Sequence, residues 1–297
     1  MAEVIDVESI KGRFGWITIE ECNVLYITRI INGEHLKFIS VLMAETHLIR
    51  EHLQYFNPDI YKCLSVIGHN ITNTEAKLLN KINLQHCECM FGIHKFIAGK
   101  DCIVHLEDAQ ELKKFLAACY NKIQSNINDQ TIQFGFIKIG LYFIPYYIKE
   151  DQKYLPLFYF EGSTDDLLIG AVELKNWDLA YLKFCFQVMG VYDNLYDKDY
   201  CTVVSLNDVK KYYPLETTYE EFWPKNVSTE LHVINYNKDH YKPGVWIKNC
   251  AQINHPEPVN VNYVQSTSQV PQQQQQQILI IPLQESNNGQ FIDLTND

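Results

Sequence analysis

The chain repeats itself in order, and this constrains its fold more than any other feature of the sequence. Phe14-Gly15-Trp16-Ile17-Thr18-Ile19 recurs as Phe134-Gly135-Phe136-Ile137-Lys138-Ile139, and Lys37-Phe38-Ile39-Ser40-Val41 recurs as Lys153-Tyr154-Leu155-Pro156-Leu157. Asn73-Thr74-Glu75 with Leu79 then answers Asn176-Trp177-Asp178 with Leu182, and the stretch led by Cys102 answers the one led by Cys201. Four matches in one order, spaced by about 100 to 120 residues, predict a duplication, with Cys102 and Cys201 at equivalent buried strand positions.

Each copy reads as the same series of elements. Val24 to Ile31, Asn32-Gly33 and His35 to Val41 form a hairpin signal, because Asn-Gly tolerates positive φ at both turn positions. Met43 to Tyr55 carries apolar residues at helical spacing until Asn57-Pro58 stops it, and Ile60 to Val66 reads as a short strand. Thr72-Asn73-Thr74-Glu75 is a capping box, in which hydroxyl and carboxylate each satisfy an orphan amide at a helix start. Cys102 to Leu106 is a strand, followed by a helix from Glu107 to Ile123 with Leu112, Phe115, Leu116 and Cys119 on one face. In the second copy, Leu179 to Val188 is the helix and Cys201 to Leu206 the strand, while Asp165-Asp166 suits a loop or a helix first turn.

The fold class expected is therefore α+β, a tandem repeat of two small mixed α/β units. An N-terminal segment (1–13) precedes unit one (14–125) and unit two (126–225); an extension (226–250) and a Gln/Asn-rich tail (251–297) follow. The tail holds 17 Asn or Gln and four prolines among 47 residues, with no Lys or Arg. Such a composition buries too little apolar surface to offset chain entropy, so disorder is expected there. The first residues have no basic flank or apolar run, so no signal peptide is expected, and the apolar stretch from Phe134 to Ile148 is too short to span a membrane. Nine cysteines without a secretory signal read as reduced thiols.

The formal charge of −11 works against a phosphate backbone as partner and favours another protein, unless the basic residues gather on one face. His86, Cys87, Cys89, His94, Cys102 and His105 are zinc-ligand types, but copy two has no counterparts for most of them. They read as core and surface residues, and neither a metal nor a cofactor is expected. No phosphate-binding glycine loop, dinucleotide fingerprint or nucleophile elbow is present. His47, Glu51 and His52 read as a solvated helix surface, and the chain is expected not to be an enzyme.

The ends carry another signal. Val4-Ile5-Asp6-Val7, followed by Glu8, and Phe291-Ile292-Asp293-Leu294 each pair a short β-prone apolar core with adjacent acid. Both resemble SUMO-interacting motifs, which add a strand to an exposed sheet edge while their carboxylates meet basic residues on SUMO. Ile278 to Ile281 is a poorer match, interrupted by Pro282.

The order hairpin, helix, strand, capped helix, strand, helix resembles the Ski, Sno and Dachshund domain. Asp151 to Phe158 looks like that family's segment in which Cys-Leu-Pro-Gln leads into a helix, with Leu155-Pro156 matching residue for residue; copy one has Ile39-Ser40 there. Leu179 to Gly190 and Cys201 to Tyr212 look like its Leu-rich helix ending at Gly and its Cys-led strand and helix. The resemblance implies winged-helix-like units and a nuclear protein that regulates transcription or chromatin, often as a corepressor, by gripping other proteins and sometimes DNA. The reading is a non-catalytic nuclear adaptor, whose partners are proteins such as SUMO or sumoylated chromatin factors. The alternatives are a sequence-specific DNA-binding protein with one basic face, or an enzyme of unknown type.

Overall fold

The computed structural model describes residues 14–86, 95–124, 133–161, 165–190, 194–224, 233–235, 243–248 and 281–282. It contains two compact units, the first formed by Met1–Ser125 with Asn226–Gln274 and the second by Asn126–Lys225 with Gln275–Asp297. Both are mixed α/β, each around an antiparallel sheet.

Unit 1 opens with β1 (Phe14–Ile19), β2 (Cys22–Ile31) and β3 (Glu34–Ser40). The β2–β3 turn is Asn32 (φ 54°) and Gly33 (φ 85°), the left-handed pair that the Asn-Gly signal requires. Next come α1 (Val41–Met43), a π-helical turn at Ala44–Leu48, α2 (Arg50–Leu53) and a 3-10 helix at Pro58–Cys63. The strand expected over Ile60 to Val66 is therefore not formed. The Asn57 side chain accepts the Asp59 amide and Pro58 supplies the preset φ of a first helical position, so Asn-Pro starts a helix as well as ending one. β4 (His69–Asn70), α3 (Asn73–His86), β5 (Cys102–His105) and α4 (Leu106–Gln124) complete the unit. The sheet order is β1-β2-β3-β5-β4. Leu112, Phe115, Leu116 and Cys119 on α4 are fully buried, as are Phe38 and Ile39 on β3.

Unit 2 runs β6 (Phe134–Ile139), β7 (Tyr142–Lys149), β8 (Gln152–Pro156), a 3-10 turn (Leu157–Tyr159), β9 (Phe160–Glu161), α5 (Asp165–Ile169), β10 (Val172–Lys175) and α6 (Asn176–Val188). A 3-10 turn (Asn194–Asp197), β11 (Tyr200–Ser205), α7 (Leu206–Lys210) and β12 (Tyr219–Phe222) follow. Read from its β6 end, the sheet is β12-β6-β7-β8-β11-β10. Without β12 this is the strand order of unit 1, element for element.

The registers agree as well. Phe14 pairs with Ile27 and Phe134 with Tyr147; Ile27 then pairs with Phe38 and Tyr147 with Tyr154. Phe38 pairs with His105 and Tyr154 with Ser205, which sets Cys102 level with Thr202 rather than with Cys201. The expected equivalence of Cys102 and Cys201 thus fails by one residue. Since a one-residue slip reverses a side chain's face, both cysteines are buried but on opposite sides of their sheets.

Two segments beyond residue 225 also take part in the described structure. Part of the 226–250 extension belongs to the fold of unit 1: Phe56 bridges Ile234, Ile67 bridges Lys248, and Trp246 is 1% exposed. Within the tail, Ile281–Pro282 forms β13, which pairs in parallel with β9, so disorder does not extend over those two residues. The hydrogen bonds of a sheet edge can hold backbone that composition alone would leave unstructured. The remainder of 251–297 lies outside the described residues.

Candidate functional site

The residues that the two copies share converge on the first edge of each sheet. Gly15 lies opposite Tyr26, and Gly135 opposite Tyr146. In both places the ring lies across the glycine: an added Cβ would stand 2.5 Å from the Tyr26 hydroxyl oxygen or 3.0 Å from that of Tyr146. A glycine here lets the ring cross the first strand and bring its hydroxyl toward the sheet edge. From β3, Lys37 places Nζ 4.8 Å from the centre of the Tyr26 ring; from β8, Lys153 does the same to Tyr146 at 5.0 Å. Gly-Tyr-Lys is thus one constellation built twice on three neighbouring strands.

In unit 2 the edge is occupied. β12 pairs with β6, setting Glu221 against Ile137 and Phe222 against Phe136. Glu221 forms an ion pair with Lys153. Burial and the neighbouring Glu221 carboxylate raise the Tyr146 hydroxyl above its ordinary range. On the opposite face, Trp223 lies 5.4 Å from Phe136 and 6.3 Å from Phe134, ring centre to ring centre, and both phenylalanines are buried.

In unit 1 the same edge has no neighbouring strand among the described residues. Phe14 and Trp16, level with Phe134 and Phe136, remain 37% and 47% exposed. Lys37 is exposed and makes no ion pair among the described residues.

This comparison predicts an inversion of steric and energetic order. Gly135→Ala forces the new methyl against a Tyr146 ring that is itself buried, and should cost about 1–3 kcal/mol by overpacking. Gly15→Ala should cost less despite its closer approach, because half-buried Tyr26 can swing outward. Urea titration of the two variants checks this; a larger loss at Gly15 would mean that Tyr26 is pinned.

A second shared pair joins the second strand of each unit to the start of a helix. Arg29 donates from Nε to Glu75 Oε1 at 2.7 Å and from Nη2 to Oε2 at 2.8 Å, with both side chains buried. Nη2 also reaches the Asn70 carbonyl at 2.9 Å. Glu75 is the capping-box carboxylate expected from the sequence: it accepts the Thr72 amide at 2.7 Å, and its own amide donates to Thr72 Oγ1 at 3.2 Å. Burial raises the Glu75 pKa, but the Arg29 hydrogen bonds and charge and the Thr72 amide outweigh it, holding the carboxyl below its ordinary range. At the equivalent positions in unit 2, Lys149 lies 3.6 Å from Asp178, partly exposed, and the Tyr147 hydroxyl donates to Asp178 at 2.7 Å.

The sequence-predicted site residues Val4, Ile5, Asp6, Val7, Phe291, Ile292, Asp293 and Leu294 all lie outside the described residues, as do Cys87, Cys89 and His94. Of the remaining zinc-ligand types, His86 packs beside Phe14 at 5.3 Å, and His105 packs against Phe38 at 4.3 Å and His69 at 5.7 Å. Among the described residues, no three His, Cys, Asp or Glu side chains are placed to hold a metal. Cys102 is disulfide-bonded, which corrects the expectation of a reduced thiol at that position. Cys22, Cys63, Cys119, Cys185 and Cys201 are free, and burial pushes the Cys201 thiol up to about 12.

His47 and His52 are half-buried rather than solvated. Burial lowers both their pKa values, with Arg50 adding to the effect at His47. Beside them, Leu42, Glu45, Thr46, Arg50, Leu53 and Gln54 line an open cleft of about 330 Å³. A second cleft of about 350 Å³, in unit 2, gathers Asp166, Leu167, Asp208, Lys211 and Tyr212. Its carboxylate Asp208 is engaged in structure: it is held below its ordinary range by Lys211 and then by Ser205, whose hydroxyl caps α7. Five described lysines stand beside acids, Lys62 by Asp59, Lys113 by Glu20, Lys114 by Glu111, Lys175 by Glu173 and Lys211 by Asp208. No described helix is long and apolar enough to cross a membrane. Comparison with family models, with curated proteins and with solved structures gives no match for this chain.

Proposed function

We propose that the chain is a non-catalytic nuclear adaptor: two diverged copies of a Ski, Sno and Dachshund-like, winged-helix-like module that grip proteins in transcriptional or chromatin regulation, with SUMO-binding terminal segments. The duplication is supported by the shared strand order, the shared register, the twice-built Gly-Tyr-Lys constellation and the paired positions of Arg29–Glu75 and Lys149–Asp178. The observation that favours protein binding over DNA binding is that Lys62, Lys113, Lys114, Lys175 and Lys211 each stand beside a carboxylate. A duplex would have to displace those acids to reach the lysines, and the net charge of −11 opposes its approach.

The test is titration of labelled SUMO with the full chain and with Ile292→Ala/Leu294→Ala. Each truncation removes apolar groove contact worth about 1–3 kcal/mol when fully buried, so the double variant should weaken binding by about 30-fold or more. Equal affinities would overturn the role of Phe291 to Leu294, and no binding of the wild-type chain at millimolar concentration would overturn the SUMO reading.

A further inference from the structure

We infer that the β1 edge of unit 1, which has no neighbouring strand among the described residues, is a docking site for an extended acidic–aromatic peptide of a partner protein, which adds to the sheet antiparallel to β1 as β12 adds to β6. The inference deepens the adaptor reading but uses residues other than the SUMO-type segments, so either can fail alone.

β1, Phe-Gly-Trp-Ile-Thr-Ile, contains no charge and no proline, the usual devices that keep an edge strand from pairing. It is six residues long, whereas β4 at the opposite edge has two. An edge of this kind is suited to receiving a strand.

The second copy identifies the chemistry of the occupant. In the β12–β6 register, Tyr219 faces Ile139, Glu220 faces Lys138, Glu221 faces Ile137 and Phe222 faces Phe136. Carried across the shared register, these positions lie opposite Ile19, Thr18, Ile17 and Trp16 of unit 1. A carboxylate opposite Ile17 would come to the edge where Tyr26 reaches across Gly15 and Lys37 sits over the ring, the two groups whose counterparts Tyr146 and Lys153 engage Glu221. An aromatic residue two places after the acid would cover Phe14 and Trp16 as Trp223 covers Phe134 and Phe136, whereas Phe222 packs on Phe143 of β7. The partner motif is therefore an acid with an aromatic residue two places after it in an extended segment. Backbone pairing supplies general affinity, and the Lys37–acid contact sets register and selectivity.

The probe is a fluorescent peptide of residues 216–225, Glu-Thr-Thr-Tyr-Glu-Glu-Phe-Trp-Pro-Lys, titrated by anisotropy with the full chain. Saturable binding is expected, weakened at least about ten-fold by Lys37→Glu, an exposed position whose substitution should leave the fold intact. A peptide with Lys in place of the glutamate equivalent to Glu221 should lose affinity similarly for the wild-type chain and regain it for Lys37→Glu. That charge reversal places the contact on unit 1, because Lys153 is unchanged in every arm. Ile292→Ala/Leu294→Ala should bind the peptide like wild type, which separates this result from the SUMO test. No binding, or binding indifferent to the charge reversal, would overturn the inference. Binding that appears only when the chain begins at Phe14 would assign the edge to the protein's own first residues. Self-association through the edge, seen as a concentration-dependent sedimentation coefficient lost in Lys37→Glu, would assign it to a second copy. Either of these also overturns the partner reading.

Discussion

Replacing Glu75 by Gln lowers the stability of unit 1 by about 3–5 kcal/mol, the range for removing one member of a buried ion pair and leaving the other charge uncompensated. Arg29 is 2% exposed, and Glu75 supplies both carboxylate oxygens to it, so no water replaces what is lost. Arg29→Met should cost a similar amount. It leaves Glu75 buried with only the Thr72 amide, and leaves the Asn70 carbonyl without its Arg29 donor. Combining Arg29→Met with Glu75→Gln should cost less than the sum of the two, because neither variant then strands a full charge. The corresponding Lys149→Met should cost about 0–1 kcal/mol, since that pair is exposed and screened by solvent.

The same pair gives an acid limb. Glu75 has a folded-state pKa below its ordinary value of 4.5, so its contribution is fully present above the unfolded-state pKa. It is lost as pH falls through the lowered folded-state value. Urea midpoints of wild type should therefore drop below about pH 4.5, and the gap to Glu75→Gln should close over that window. Parallel pH profiles for the two proteins would show that Glu75 contributes no stabilising charge.

The partners in this network differed in how far they could be read from the sequence. Thr72-x-x-Glu75 is a local pattern with a local mechanism, so both hydrogen bonds of the capping box were legible. Arg29 was not, because its partner lies 46 residues away and an arginine inside an apolar strand carries no local sign of what it faces. The Asn-Gly hairpin and the apolar face of α4 were legible for the same local reason. The repeat revealed the order of elements in both copies but misplaced Cys201 by one residue, since a short cysteine-led match cannot resolve a slip that the strand ladder resolves at once. It also drew attention to Phe-Gly and to the leading lysines without disclosing their purpose. That purpose appears only when Tyr26 and Tyr146, at unmatched positions in the text of the repeat, are seen crossing the glycines. β12 carries no such signal, because Tyr-Glu-Glu-Phe lacks the alternation of a strand and sits beyond the last matched segment.

Replacing Trp246 by Ala should be as damaging as breaking the buried ion pair, although the sequence places Trp246 in an extension with little pattern. The indole is 1% exposed, and its Nε1 donates to Glu45 Oε1 at 2.8 Å while the Gly244 amide reaches the same oxygen at 2.7 Å. Truncation removes a fully buried aromatic side chain, a loss of about 3–5 kcal/mol, and takes one donor from a buried carboxylate. Trp246→Phe retains most of the ring and should lose only about 1–3 kcal/mol, the cost of that missing donor. The segment is fastened along its length as well. Asn57 donates its amide to the Val233 carbonyl, Asn235 to that of Tyr55, Lys248 to that of Val66 and Gly68 to that of Lys248. These contacts join residues nearly 200 positions apart, across the whole sequence of unit 2, and contacts of such separation form late because the intervening chain must be ordered or looped out first. Unit 1 should thus be incomplete until residue 248 has emerged, whereas unit 2 draws its sheet from one continuous stretch. Compared with a chain ending at residue 250, which lacks β13 equally, a chain ending at residue 232 should show the unit 1 unfolding transition shifted to lower urea by an amount comparable to Trp246→Ala, with the unit 2 transition unmoved. If that shortened chain keeps the midpoint of one ending at residue 250, Trp246 fills a pocket that unit 1 does not need, and the late closure of unit 1 is wrong.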